Sequence, residues 1–356
     1  MRVRLFAVTA ALSILSAPIA MAATIAVVAP QTGPYAPLGQ QVLAGAHAAA
    51  EATGHTVLPL DENCESAGAT AVADRIIEGK AVAAIGFLCS ETLAGVMPRL
   101  AEAAIPAVTV AVRSRILMED AQREDWPLYR MAPSEGDEAE KIAEVVLERW
   151  KADPVAIIDD GTIYGRELAS AVRQSVEAGG ISPVFVDTYR PGQEQQVALV
   201  RRLRKAGATH IVVGGDRNDV AVIARDAERE NIPLQLMAGD TMRAADRPVP
   251  LREGVLAVAV ADYAARPDAG DAAAAVRSAG VEPEGYALPA YAAVQLVDQA
   301  LSQAGDSPLA DAVRRLRAET VVGPVAFDDL GELSENPLRL QEWRSGRFVA
   351  VDIPTE

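Results

Sequence analysis

The chain has 356 residues, a formal net charge of −16, and a sequence that is 50% hydrophobic but only 4% aromatic. Such acidity argues against a nucleic-acid partner, whose phosphates need a basic surface, and the abundance of alanine points to a helix-rich α/β protein rather than a β-sandwich or lectin. With an N-terminal leader set aside, about 330 residues remain, more than a single hydrophobic core usually organises, so two domains are expected.

The leader is read in residues 1–22: Arg2 and Arg4 at the front, an apolar run from Leu5 through Ile19, and a small-x-small site at Ala20-Met21-Ala22. Pro18 breaks the apolar run, which makes a retained membrane span the poorer reading. No cysteine follows the site, so a lipid anchor at the new N-terminus is not expected, and the mature protein is expected free in the periplasm. In that oxidising compartment the only two cysteines, Cys64 and Cys89, read as a bridge closing a loop of about two dozen residues, a constraint of roughly 3 kcal/mol. Two buried free thiols are the alternative. Zinc is disfavoured because His47, His55 and His210 are not spaced with the cysteines as ligands.

From residue 23 onward, short β-branched runs alternate with helical patterns, the signature of βα units and parallel sheets. ATIAVVAP, TVLPL, VAAIGFL and IPAVTVAV are strands separated by helices such as VLAGAHAAAEA and TAVADRIIEG. After LYRMAP and the acidic helix DEAEKIAEVVLERW the rhythm restarts with PVAIIDD, SPVFVDTY, THIVVGGD and LQLMAGD. Two similar series suggest two similar lobes. Beyond LREGVLAVAVADY come consecutive amphipathic helices with no strand between them, which must cover a sheet formed elsewhere. The chain closes on VVGPVAFDDLGEL and LRLQEWRSGRFVAVDI, where Ser345-Gly346 is a two-residue hairpin signal.

In open α/β sheets ligands bind outside the carboxyl ends of the strands, which directs attention to PQTGPYAPLG, CSET, AVRS, DDGTIYG, GGDRND and AGDTM. Ser90 follows a buried strand and opens a helix, so its hydroxyl and the first helix amides suit an anion; capping its own helix is the alternative. Enzyme signatures are thin: there is no G-x-S-x-G, H-E-x-x-H or phosphate loop, and the first βα turn lacks G-x-G-x-x-G. Asp159 and Asp160 end a strand together and are candidates for acid–base or metal chemistry, although no neighbouring motif supports either. No cofactor, metal or catalytic residue is expected.

Taken in order, the leader, TGPYAPLGQQ after the first strand, the DENC loop, IGFLCS, IIDDGTIYG, the GG after THIVV, YAAVQLV and VGPVAFDDLGEL resemble the leucine/isoleucine/valine-binding proteins of ABC transporters. The resemblance runs through essentially the whole mature chain. It implies a type I periplasmic binding fold, with two Rossmann-like lobes on parallel-sheet cores, three hinge crossings and a ligand cleft between. The lobes would be 23–132 plus 263–325 and 133–262 plus 326–356, with crossings near Met131 to Ser134, Val260 to Tyr263 and Val325 to Phe327.

Carried onto this chain, the resemblance places a carboxylate site on Ser90 with backbone groups around Ala111 and Arg113. It places the acid that holds an α-ammonium on Asp240, an aromatic wall on Tyr164, and a further ligand position on Tyr291. A zwitterion does need anion-binding amides on one lobe and a carboxylate on the other. The chain departs from the family pattern at Leu38, where a pocket tyrosine is expected, at Arg113, where a small hydroxyl residue is expected, and at Asp216. An arginine in the cleft would fork onto a carboxylate, and Asp216 would either neutralise it or meet a cationic side chain. The implied function is a monomeric periplasmic carrier that delivers an amino acid or related small carboxylate to an ABC permease. A periplasmic sensor signalling to a protein partner and a secreted α/β enzyme are the rival readings.

Overall fold

A computed structural model of the protein describes residues 22–244 and 248–352. Apart from Ala22, the leader lies outside these residues. The first series runs Thr24–Ala29 (β1), Ala36–Thr53 (α1), Thr56–Asp61 (β2), Ala69–Glu78 (α2), Ala83–Gly86 (β3), Ser90–Glu102 (α3), Ala107–Thr109 (β4), Arg115–Arg123 (α4) and Leu128–Arg130 (β5). The second runs Asp137–Arg149 (α5), Val155–Asp159 (β6), Ile163–Ala178 (α6), Phe185–Thr188 (β7), Val197–Lys205 (α7), His210–Gly214 (β8), Arg217–Arg229 (α8), Gln235–Ala238 (β9) and Leu256–Val260 (β10). Three helices follow, Gly270–Ser278 (α9), Ala287–Ala304 (α10) and Leu309–Arg315 (α11). The chain ends with Ala318–Thr320 (β11), Gly323–Val325 (β12), Leu338–Arg344 (β13) and Arg347–Ala350 (β14).

The first series builds a parallel sheet in the order β2-β1-β3-β4-β5. The second repeats that order as β7-β6-β8-β9-β10 and adds β13 and β14 antiparallel at the β10 edge. β1, β3 and β6 are buried almost throughout, as strands covered on both faces must be, which is why they read as unbroken apolar runs. Ser345 and Gly346 close the β13–β14 hairpin with φ of 52° and 80°, the left-handed pair a two-residue turn of this kind needs. Cys64 and Cys89 are disulfide-bonded with Cα atoms 5.0 Å apart, joining the loop after β2 to the N-cap of α3.

The late helices return to the first sheet. Leu288, Leu296 and Val297 of α10 share a core with Ile25, Val27 and Ile85 of β1 and β3. Alanines and a glycine let α1 and α10 approach closely: a Cβ on Gly45 would lie 1.8 Å from the Ala287 carbonyl oxygen. Because that obstacle is backbone, Gly45→Ala is expected to cost about 1–3 kcal/mol in urea unfolding. An unchanged midpoint would show that the two helices part without strain.

The chain passes between the cores of the two sheets three times, in the stretches 131–136, 261–268 and 326–337, of which Met131, Tyr263, Ala264, Phe327 and Leu333 still pack on the first sheet's core. Among the described residues no helix is long and apolar enough to cross a membrane.

Candidate functional site

Residues that follow the carboxyl ends of β4, β5, β9 and β10 surround a cavity of about 440 Å³, within the range of small-molecule sites. The first sheet contributes Val110, Ala111 and Arg113, with Leu38 and Gln41 from α1; the second contributes Asp240, Arg243 and Val260. Tyr263 and Tyr286 add phenols, and Met131 to Pro133 form the floor at the first passage. A neighbouring cavity of about 390 Å³ lies between Arg113, Arg115 and Ser134 on one side and Glu138, Tyr164 and Leu168 on the other.

Arg113 belongs to both walls, and its Nη2 donates to Asp240 Oδ2 at 2.8 Å, bridging the two sheets' loops. Asp240 opens a 3-10 turn, Asp240–Arg243, directly after β9. Its Oδ1 accepts from the Val260 amide at 3.1 Å, and its own amide donates to Glu138 Oε1 at 2.6 Å. The Tyr164 hydroxyl donates to the same Glu138 oxygen at 2.7 Å. Glu138 is 8% exposed, and burial pushes its carboxyl up against the lowering effect of those two bonds. Burial also pushes the Tyr164 phenol up, with the Glu138 carboxylate adding to it, so Tyr164 stays a donor.

The remaining sequence candidates are placed as follows. Ser90 is the first residue of α3, half-buried, with Cys89 at the N-cap and no side-chain cap, and it is not among the residues lining either cavity. The Ala111 amide donates to Thr109 Oγ1 at 3.3 Å. Leu38 is exposed on the larger cavity. Asp216 caps α8 by accepting from the Asp219 amide at 3.0 Å; the acid that meets Arg113 is Asp240 instead. Tyr291 is buried in the core between α10 and the first sheet, because the helix turns that face away from both cavities.

Asp159 and Asp160 serve their own turn. Asp159 accepts from the Gly161 amide and Thr188 Oγ1, and Asp160 accepts from the Thr162 amide and hydroxyl. Among the described residues no group of histidine, cysteine and acid side chains is arranged to hold a metal. His55 bonds to Asp298, and His210 packs on Trp150. Sequence reasoning missed Glu138 and Arg243. Each sits just past a feature it had marked, the MAPS crossing and the AGD strand end, and an acid in the first turn of α5 was the available signal.

Residues 22–347 match the model of a family described as periplasmic binding protein. The chain is 27% identical over 346 residues to the Leu/Ile/Val-binding protein homolog 3 of Brucella melitensis, covering 92% of this chain and 93% of that one. It is 29% identical over 338 residues to an amino acid binding protein of Pseudomonas aeruginosa, covering 90% and 89%. Among solved structures, a putative branched-chain amino acid ABC transporter protein from Rhodospirillum rubrum superposes with a TM-score of 0.79 at 18% identity, covering 93% of this chain and all of that one. An ABC transporter substrate-binding protein from Desulfitobacterium hafniense, in complex with Leu, gives 0.68 at 23% identity, covering 92% and 99%. With two sheets of one strand order, three passages between them and a cavity where their loops meet, the chain belongs to the periplasmic binding protein family and has its type I fold.

Proposed function

We propose that the protein is the periplasmic solute-binding component of an ABC importer and that it holds an amino acid or related small carboxylate in the cavity between the two sheets. The lobes, 23–132 plus 263–325 and 133–262 plus 326–356, would close over the ligand by bending at the three passages, and the closed form would be the one the permease receives. The relatives' names and their near-complete coverage support this reading, as does an N-terminal segment with the three parts of a secretion signal.

The observation that carries it is the Arg113–Asp240 bridge, a cation from one sheet's loops and a carboxylate from the other's, paired at 2.8 Å in the lining of a ligand-sized cavity. A zwitterion can replace each partner of that bridge with its own opposite charge. Its carboxylate takes Arg113 while its ammonium takes Asp240, whose Oδ1 stays fixed by the Val260 amide. Both ends of the ligand then tie the lobes together, and binding and closure become one event.

A thermal-shift screen of refolded, ligand-free mature protein against amino acids, dicarboxylates and aromatic acids tests this. Saturating ligand stabilises the folded state by about 2.7 kcal/mol at a hundredfold excess over Kd. A hit among amino acids that is lost in both Arg113→Ala and Asp240→Ala is the expected result. A hit among plain acids, lost in Arg113→Ala but indifferent to Asp240→Ala, would keep the site and change the ligand class. No shift across the panel would sink the reading.

A further inference from the structure

We infer that Arg243 is a second acid-binding group in this cavity, and that the ligand is an amino acid carrying a side-chain carboxylate. The inference rests on the proposed function and narrows its ligand class.

Arg243 closes the 3-10 turn that Asp240 opens, and the two residues line the same cavity. The two arginines of the cavity are not equivalent. Arg113 already faces a carboxylate, Asp240 at 2.8 Å. Arg243 is exposed, and among the described residues no carboxylate forms an ion pair with it; its one hydrogen bond goes from Nη1 to the Val260 carbonyl at 2.5 Å. A guanidinium has five N–H donors in a rigid fork, so most of its capacity is unspent in a residue that lines the cavity.

The ionisable side chains lining the cavity are Arg113, Arg243, Asp240 and Glu284, besides the phenols of Tyr263 and Tyr286; Asp240 is paired with Arg113, and Glu284, exposed like Arg243, forms no ion pair with it. An α-amino acid satisfies Arg113 and Asp240 and leaves Arg243 facing its side chain. Closing the lobes on an aliphatic side chain would strip water from that guanidinium with nothing in return, whereas a side-chain carboxylate would meet it as a charge-assisted pair. Tyr263, whose hydroxyl is held protonated by burial, lies within electrostatic reach of Arg243 and is a further donor to the same acid group.

Isothermal titration of ligand-stripped mature protein with glutamate, glutamine, aspartate, asparagine, leucine and glutarate tests the assignment. At least one acid should bind about tenfold or more tightly than its own amide, the effect of one hydrogen bond to a charged group, and Arg243→Gln should abolish that preference. Since Arg243 is exposed, unchanged melting of the variant without ligand is the check that it folds. Leucine or the amides binding as tightly as the acids would overturn the inference while leaving the carrier reading intact. The same holds if the acid-over-amide ratio survives in Arg243→Gln. Glutarate matching glutamate would overturn the requirement for an amino group. If none of the panel binds, the site reading falls and this inference with it.

Discussion

Arg130→Met is expected to lower the unfolding free energy by about 3–5 kcal/mol, the cost of breaking a buried ion pair from one side. Arg130 ends β5 where the chain first leaves the first sheet, and its side chain has no solvent exposure. Its Nε donates to Glu332 Oε2 at 2.7 Å, Nη2 bonds Glu332 Oε1 and also Ser134 Oγ at 2.8 Å, and Nη1 donates to the Ser114 carbonyl at 2.9 Å. Those partners sit on three different segments: Ser134 on the first passage, Glu332 on the third, and Ser114 at the N-cap of α4. The backbone reinforces the junction, for the Arg130 amide donates to the Gly331 carbonyl at 2.8 Å. Gly331 has φ of 76°, and a Cβ there would lie 2.3 Å from the Leu128 carbonyl oxygen, so only glycine brings the third passage this close. Truncating Arg130 strands the Glu332 carboxylate, whose side chain is only 18% exposed. Urea unfolding followed by circular dichroism measures the loss. Arg130→Met combined with Glu332→Met should recover much of it, because the stranded charge goes too. A loss below about 1 kcal/mol, the range of a surface pair, would show the junction to be dispensable.

The parts of this architecture that were legible in the sequence are those set by short-range physics. Strands covered on both faces read as continuous apolar runs, so the two series and the restart after LYRMAP and the acidic helix were visible, and Ser345-Gly346 announced its hairpin through its turn chemistry. The general position of the site was also legible, because loops after parallel strands are where ligands bind; that rule marked AVRS and AGDTM, and the family resemblance picked Ala111, Arg113 and Asp240 out of them.

What could not be read depends on how one sheet faces the other. Asp216 and Asp240 both follow strands of the second sheet, and sequence alone does not say which meets Arg113. The strand order puts β9 and its turn beside β10 and the passage, while Asp216 is spent on capping α8. Tyr291 fell on the wrong face because α10 packs against α1, and that face points inward. Glu138 escaped notice since an acid in the first turn of a helix is usually explained by the helix dipole, whereas here it accepts bonds from Tyr164 and the Asp240 amide.

Stability is expected to fall by roughly 3 kcal/mol as pH rises from about 4.5 to about 7, through one carboxyl group, Glu62. Glu62 follows β2 two residues before Cys64 and is 1% exposed. Its Oε1 accepts from the Leu88 amide at 2.7 Å, while among the described residues the buried Oε2 makes no hydrogen bond. Burial raises its pKa from the usual 4.5 to about 7, with the Asp61 carboxylate adding to the rise and the Leu88 amide opposing it. The folded protein therefore keeps this proton over a range in which the unfolded chain has given it up. Stability is fully present below about 4.5 and is lost as pH climbs through about 7, a span of some 2.5 units at 1.36 kcal/mol each. Glu62→Gln cannot ionise, so the difference in urea midpoint between variant and wild type should grow in the variant's favour from pH 4 to 8. A difference that stays flat with pH would place the charge in water and refute the assignment. The location gives the effect a structural consequence, because the Leu88 amide lies at the end of β3, one residue before the disulfide and two before Ser90. Ionising Glu62 draws water or a counter-charge into the Glu62–Leu88 contact, one of the hydrogen bonds that hold this turn. The pH dependence should therefore be steeper for opening of the Cys64–Cys89 loop, read by hydrogen exchange at Leu88, than for the second sheet, since Glu62 follows β2 of the first sheet and bonds the Leu88 amide.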